Sequence, residues 1–141
     1  MAYLKRSKIG NFWPIPRKGN KYLALTSHNQ SESIPLVVVL RDILKLVRNK
    51  KELKRILNEK QILINHKQIR ETNYPLCLFD ILTVGKKHYK TILSEGKKIN
   101  FQEIQDKDSE TRIYKIIGRK VLGKNKTQLN LMQGKNILAN E

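Results

Sequence analysis

Hydrophobic positions along the chain fall into three regimes. Between residues 1 and 33 apolar side chains come singly, and Phe12-Trp13-Pro14-Ile15-Pro16-Arg17-Lys18-Gly19 excludes a helix, because each proline fixes φ and restricts the residue before it. Ser27 to Ser33 is polar and turn-rich. This stretch predicts an extended arm that buries little of itself, disordered alone and ordered by a partner. From residue 34 the pattern turns helical. Pro35 suits a first turn, and Leu36, Leu40, Ile43, Leu44 and Val47 recur at helical spacing, with Arg41, Lys45 and Arg48 on a different face. Asn49 offers an N-cap and Glu52 the return half of a capping box. A second helix follows from about Lys50 to Asn58, with Leu53, Ile56 and Leu57 inward and Lys50, Lys51, Lys54 and Arg55 outward.

After the helices the period shortens. Gln61 to Ile64 and Lys67 to Arg70 read as strands around an Asn65-His66 turn, since Asn tolerates the left-handed backbone a tight hairpin needs. Phe79 to Val84 is a further strand, closed by Gly85. Residues 86–141 alternate or are β-branched at His88–Leu93, Lys98–Phe101, Arg112–Ile117 and Thr127–Leu131, punctuated by Gly96, Gly118, Gly123 and Gly134. Asn136–Ala139 reads as the start of another strand, and Asp106-Lys107-Asp108-Ser109-Glu110 as a solvated acidic loop. The fold class is therefore α+β, in three parts: an extended basic arm (1–33), a small domain of two helices plus a hairpin and small sheet (34–85), and a β-rich domain (86–141).

Charge changes this picture from architecture toward partner. The 141 residues hold 29 Lys+Arg against 12 Asp+Glu, a formal net charge of +17. The excess is not confined to a tail: basic and acidic residues number six and one over 1–35, eleven and five over 36–86, and twelve and six over 87–141. Such density repels itself, so a polyanion is the natural counter-charge. No basic amphipathic helix with an aromatic face suggests a membrane, and the longest apolar run, Leu36 to Leu40, is too short to span one. In the arm, aromatic residues (Tyr3, Phe12, Trp13, Tyr22) alternate with Lys5, Arg6, Lys8, Arg17, Lys18 and Lys21, a composition suited to base stacking and phosphate pairing. Nucleic acid is the expected partner.

Catalytic chemistry finds little support. His28, His66 and His88 have no Asp or Glu at metal-ligand or triad spacing, and the single Cys77 sits among Leu76, Leu78 and Phe79 as a buried thiol would. Gly118-Arg119-Lys120-Val121-Leu122-Gly123 lacks the Gly-Lys-Ser/Thr ending of a phosphate-binding loop. No enzyme activity, catalytic residue, metal or cofactor is expected. The lone cysteine also fits a reducing cytosol.

Several motifs occur together and in order: Leu4-Lys5-Arg6, Phe12-Trp13-Pro14-Ile15-Pro16-Arg17-Lys18, Ser33-Ile34-Pro35-Leu36 with Leu40-Arg41-Asp42-Ile43-Leu44, and Tyr74-Pro75 with Asp80-Ile81. They resemble the small-subunit ribosomal protein S four-e family of archaea and eukaryotes. Gln128-Leu129-Asn130-Leu131 with Gly134-Lys135-Asn136-Ile137 resembles its central β domain. The resemblance implies that residues 34–85 form an S-four-type RNA-binding domain, with Lys50, Lys51 and Lys54 and the hairpin residues Asn65, His66 and Lys67 facing RNA. The family usually has Gly where Lys60 and Cys77 stand, Asp-Gly where Asn65-His66 stand, and a KOW-type module beyond the central domain. The RNA-binding residues expected from pattern and resemblance together are Lys5, Arg6, Lys8, Trp13, Arg17, Lys18, Arg41, Lys45, Arg48, Lys50, Lys51, Lys54, Arg55, Asn65, His66, Lys67 and Arg70. Arg41 is divided between RNA and an inward ion pair with Asp80. The implied role is a structural constituent of the small ribosomal subunit in the cytoplasm. Its partners would be rRNA and neighbouring ribosomal proteins, with no membrane, no small-molecule substrate and no homo-oligomer. A free-standing RNA-binding factor is the alternative.

Overall fold

The computed structural model describes residues 3–123 and 125–140. Two compact units divide between Thr111 and Arg112.

In the first unit, Met1–Thr111, an antiparallel ribbon pairs β1 (Tyr3–Lys5) with β2 (Tyr22–Ala24). A second short pair joins β3 (Ser33–Pro35) to β6 (Pro75–Cys77). Helix α1 (Leu36–Val38) runs on from β3 into a wider π turn, Val39–Ile43, and α2 spans Lys50–Asn58. A five-stranded antiparallel sheet completes the unit in the order β5-β4-β7-β8-β9, from β4 (Ile62–Ile64), β5 (Lys67–Gln68), β7 (Ile81–Val84), β8 (Lys87–Leu93) and β9 (Ile99–Ile104).

Sequence dictates α2 locally. Asn49 has extended backbone and its Oδ1 accepts from the Glu52 amide at 2.8 Å, while Glu52 Oε2 accepts from the Arg48 amide at 2.8 Å. The reciprocal cap thus reaches one residue further back than the usual capping box. At the other end Lys60 takes φ 58, its amide donating to Leu57 O and that of Gln61 to Ile56 O. This is a Schellman closure built on lysine where the position favours glycine.

Helix α1 is shorter than its periodicity predicts. Leu36, Val37, Val38, Val39 and Leu40 are all buried, so this segment is enclosed on every side rather than amphipathic. The winding ends where Lys45 adopts φ 53 and the Leu46 and Val47 amides both turn back to Leu40 O. Only Arg41 of the expected trio Arg41, Lys45 and Arg48 therefore lies on helical backbone. Asn65 and His66 both take positive φ (51 and 63), the mirror-image two-residue turn that matches strand twist between β4 and β5. The strand expected from Phe79 begins at Ile81, because Phe79 has φ 65 in a turn closed by the Asp80 amide on Cys77 O.

Residues 3–33 need the main correction. They do not form an extended arm that buries little of itself. Trp13 is 5% exposed and Leu23 also joins the core of Leu36, Leu40, Leu53, Ile62, Leu76 and Leu82, with Leu4, Ile9, Phe12 and Ile15 packed against it. The Trp13 indole donates to Ser33 O at 3.2 Å, and the Ile99 amide donates to Phe12 O. The segment is short of regular structure yet supplies core.

The acidic stretch Asp106–Glu110 is likewise not a free loop but a 3-10 turn with Ser109 buried. His66 Nε2 donates to Ser109 O at 2.9 Å, and His88 Nε2 meets Asp106 Oδ1 at 2.9 Å.

The second unit, Arg112–Glu141, is an antiparallel meander of β10 (Ile116–Gly123), β11 (Lys126–Leu131) and β12 (Lys135–Asn140). The strand expected from Arg112 starts later, at Ile116, and bulges interrupt it on either side of the Gly118–Val121 register. Tyr114 anchors the turn before it: the Arg112 guanidinium lies 4.4 Å from the ring centroid, and Lys135 donates to the hydroxyl at 3.0 Å.

Candidate nucleic-acid interface

The outer arc of α2 carries Lys50, Lys51, Lys54 and Arg55, all exposed, because Leu53, Ile56 and Leu57 take the inner side. At 100° per residue the four span about 140° of the helix wheel, narrow enough for one phosphate backbone to meet all of them. Arg55 is partly occupied by Glu59 at 3.1 Å. The three lysines enter no ion pair among the described residues.

The N-terminal end of α2 opens onto a groove of about 800 Å³. Lys50 lines it together with Arg41, Asp42 and Lys45, which follow α1, and with Arg6, Lys18, Tyr3 and Tyr22. Arg41 is bidentate to Asp42 at 2.9 and 3.0 Å, not paired with Asp80 as the sequence allowed. Donation to the Asp42 carboxylate, together with its negative charge, pushes the Arg41 pKa further up, partial burial opposing, so the guanidinium remains a cation. Lys18 and Lys45 are exposed and, among the described residues, unpaired.

Some expected contacts are committed elsewhere. Trp13 offers no ring face to a base, because it is core. The Arg6 guanidinium donates to Asn20 O at 2.8 Å and Pro16 O at 2.5 Å, which clamps the loop that presents Arg17 and Lys18. Gly19 permits the clamp: it has φ 149, and a Cβ there would stand 2.7 Å from an Arg6 nitrogen. Asn65 spends its side chain internally, donating to Asp80 Oδ1 at 3.1 Å and accepting from the Ile81 amide at 3.0 Å. His66 is exposed, but its Nε2 is held by Ser109. Lys5, Lys8, Arg17, Arg48, Lys67 and Arg70 are exposed with no side-chain ion pair among the described residues; Arg48 contributes its amide to the α2 cap.

Two features come from the fold and not from the sequence: which aromatics are exposed, and what His88 meets. Tyr3 and Tyr22, not Trp13, are the exposed aromatics of the N-terminal segment. His88 also gains partners that spacing did not reveal: Thr83 Oγ1 lies 2.8 Å from Nδ1, and Asp106 Oδ1 2.9 Å from Nε2. The hydroxyl–imidazole–carboxylate order mimics a nucleophile relay, but Thr83 is buried, so no substrate reaches the hydroxyl. The chain ties β7, β8 and the 106–110 turn together instead. Among the described residues no cluster of three or more His, Cys, Asp or Glu could hold a metal, and no helix is long and apolar enough to cross a membrane.

Comparison with known proteins points to one family. A sequence model of Ribosomal family S4e matches residues 85–141. Small ribosomal subunit protein eS4 of Methanosphaera stadtmanae is 37% identical over 99% of this chain and 60% of its own length. The chain is similar to ribosomal family S4e along nearly its whole length. The eS4 protein of Methanospirillum hungatei is 33% identical, again over 99% of this chain and 59% of its own. The fold agrees: the 30S ribosomal protein S4e of Thermoplasma acidophilum superimposes with a TM-score of 0.63 at 19% identity, covering 78% of this chain and 57% of that one. The chain thus spans about three fifths of the length of the curated S4e relatives it matches.

Proposed function

We propose that this S4e-like chain is a structural constituent of the small ribosomal subunit that binds rRNA through the outer arc of α2 and the adjoining groove. The observation that carries the reading is uncompensated charge at one place. Lys18, Lys45, Lys50, Lys51 and Lys54 are exposed and unpaired among the described residues, on the face formed by α2, the end of α1 and the Arg6-clamped loop. Lys5, Lys8, Arg17, Arg48, Lys67 and Arg70 extend the electrostatic footprint outside it. The curated relatives are named small ribosomal subunit proteins, which supports rRNA and neighbouring ribosomal proteins as partners in the ribosome.

The protein's work is neutralisation of phosphates where RNA segments approach one another, with fixed shape supplying register. No group transfer is required of it. Charge reversal at Lys50 and Lys54 tests the assignment. Each phosphate contact contributes about 0.7–0.9 to the slope of log affinity against log salt, so the double variant should bind small-subunit rRNA more weakly with a slope lower by about 1.5. Unchanged affinity and slope would show that α2 is merely solvated. Stoichiometric co-sedimentation of the chain with the small subunit is the expected cellular behaviour; its absence would favour a free-standing RNA-binding factor.

A further inference from the structure

The β1–β2 ribbon sorts its side chains by the two-residue period of a strand. Leu4 and Leu23, directly paired, face the core. Tyr3, Lys5 and Tyr22 fall on the opposite face, since Tyr3 pairs with Ala24 and Lys5 with Tyr22. The two tyrosine rings lie 6.2 Å apart at 54°, and remain 65% and 50% exposed. Lys21 Nζ is 5.4 Å from the Tyr22 ring centroid. Both rings line the groove that Lys45 and Lys50 also line, and the one carboxylate there, Asp42, is already engaged by Arg41. Large aromatic faces held open beside cations, with no core function, call for a flat anionic ligand.

We propose that Tyr3 and Tyr22 form a stacking ledge for an unpaired base of RNA, whose backbone phosphates are met by Lys18, Lys45 and Lys50, which line the same groove. The inference rests on the RNA-binding reading above and deepens it by naming the form of RNA the groove takes. Base faces inside an A-form duplex are covered by their neighbours, so only an unpaired or extruded nucleotide can use a tyrosine face. Stacking on an aromatic side chain is tolerant of base identity, and its loss removes no phosphate contact. The ledge therefore contributes affinity for single-stranded RNA that does not depend on salt, while the lysines contribute affinity that does.

The test uses the full chain with two labelled probes of equal length, an unstructured A/C-repeat oligoribonucleotide and a blunt RNA duplex, read by fluorescence anisotropy across a salt series. Tyr3→Ala/Tyr22→Ala should weaken single-strand binding by between about fivefold and a hundredfold per base stacked, leaving its salt slope and duplex binding in place. Tyr3→Phe/Tyr22→Phe should restore single-strand binding, because the ring and not the hydroxyl does the stacking. Both rings are exposed, so an unchanged melting temperature confirms that the alanine variant is folded. Single-strand affinity within twofold of the parent, or an equal loss on both probes, overturns the ledge while leaving the basic face standing. Failure of the unaltered chain to bind either probe in a salt-dependent way overturns the RNA reading itself, and the ledge with it.

Discussion

Replacement of Trp13 by alanine distinguishes a docked N-terminal segment from a loose one. The indole is 5% exposed, packs edge-on to Phe12 with centroids 6.3 Å apart, and donates to Ser33 O at 3.2 Å. Burial of about 200–250 Å² at roughly 25 cal/mol per Å² sets an upper bound near 5–6 kcal/mol, because the unfolded chain is partly collapsed. Large-to-alanine substitutions in cores realise about 3–5 kcal/mol. With a urea dependence of about 2 kcal/mol per M, the unfolding midpoint should fall by roughly 1.5–2.5 M. Urea titration followed by far-ultraviolet circular dichroism measures this directly. Trp13→Phe, which keeps most of the volume but loses the bond to Ser33 O, should cost about 1–2 kcal/mol and leave RNA affinity unchanged. A midpoint shift below about 0.3 M for the alanine variant would refute the packing argument. Loss of RNA affinity by a fully folded Trp13→Phe protein would refute the removal of Trp13 from the interface.

Two further substitutions examine backbone and core. Lys60→Gly relieves a non-glycine residue at φ 58, where the left-handed region costs about 1–2 kcal/mol and glycine's extra unfolded entropy returns part of it, so stability should rise by about 0.5–1 kcal/mol in a thermal melt; a lower melting temperature would place the lysine stem among contacts worth more than the strain. Thr91 is fully buried and its hydroxyl has no hydrogen-bond partner among the described residues, so Thr91→Val should stabilise the sheet by about 1 kcal/mol, read from the urea midpoint, and destabilisation would mean that the hydroxyl is bonded after all.

What the sequence reveals and what it hides follow the range of the deciding interactions. Helix α2 is legible to the residue because the cap of Asn49 and Glu52 and the spacing of Leu53 and Leu57 are contained within it. The Asn65-His66 turn is legible for the same reason, even without glycine. Helix α1 is not: Leu36 to Leu40 is apolar on every side, so periodicity cannot say which face is inner or where winding stops. Strands β1 and β2 have three residues each, too few for alternation to announce that Leu4 and Leu23 go in while Tyr3 and Tyr22 stay out. Trp13 was misassigned on that account, since an aromatic among cations reads alike whether it stacks on a base or fills a core. The partners of His66 and His88 lie 43 and 18 positions along the chain, beyond any spacing rule. On the candidate face α2 is the readable half; Tyr3 and Tyr22 stand out in the sequence as aromatics among cations, and only the ribbon shows that their rings stay exposed.

The scarcity of ion pairs has an effect on the free protein opposite to its effect on the complex. Besides the His88–Asp106 contact, Arg41 meets Asp42, Arg55 meets Glu59 and Lys87 meets Glu103, in a chain of net charge +17. Mutual repulsion among the remaining cations works against compactness, and it fades as the Debye length shrinks from about 30 Å at 0.01 M to about 10 Å at 0.1 M salt. Added salt should therefore firm the isolated fold over the same interval in which it loosens the grip on RNA. Phosphates and mobile anions become rivals for one task, and the fold is stabilised by whichever of them supplies its missing counter-charge.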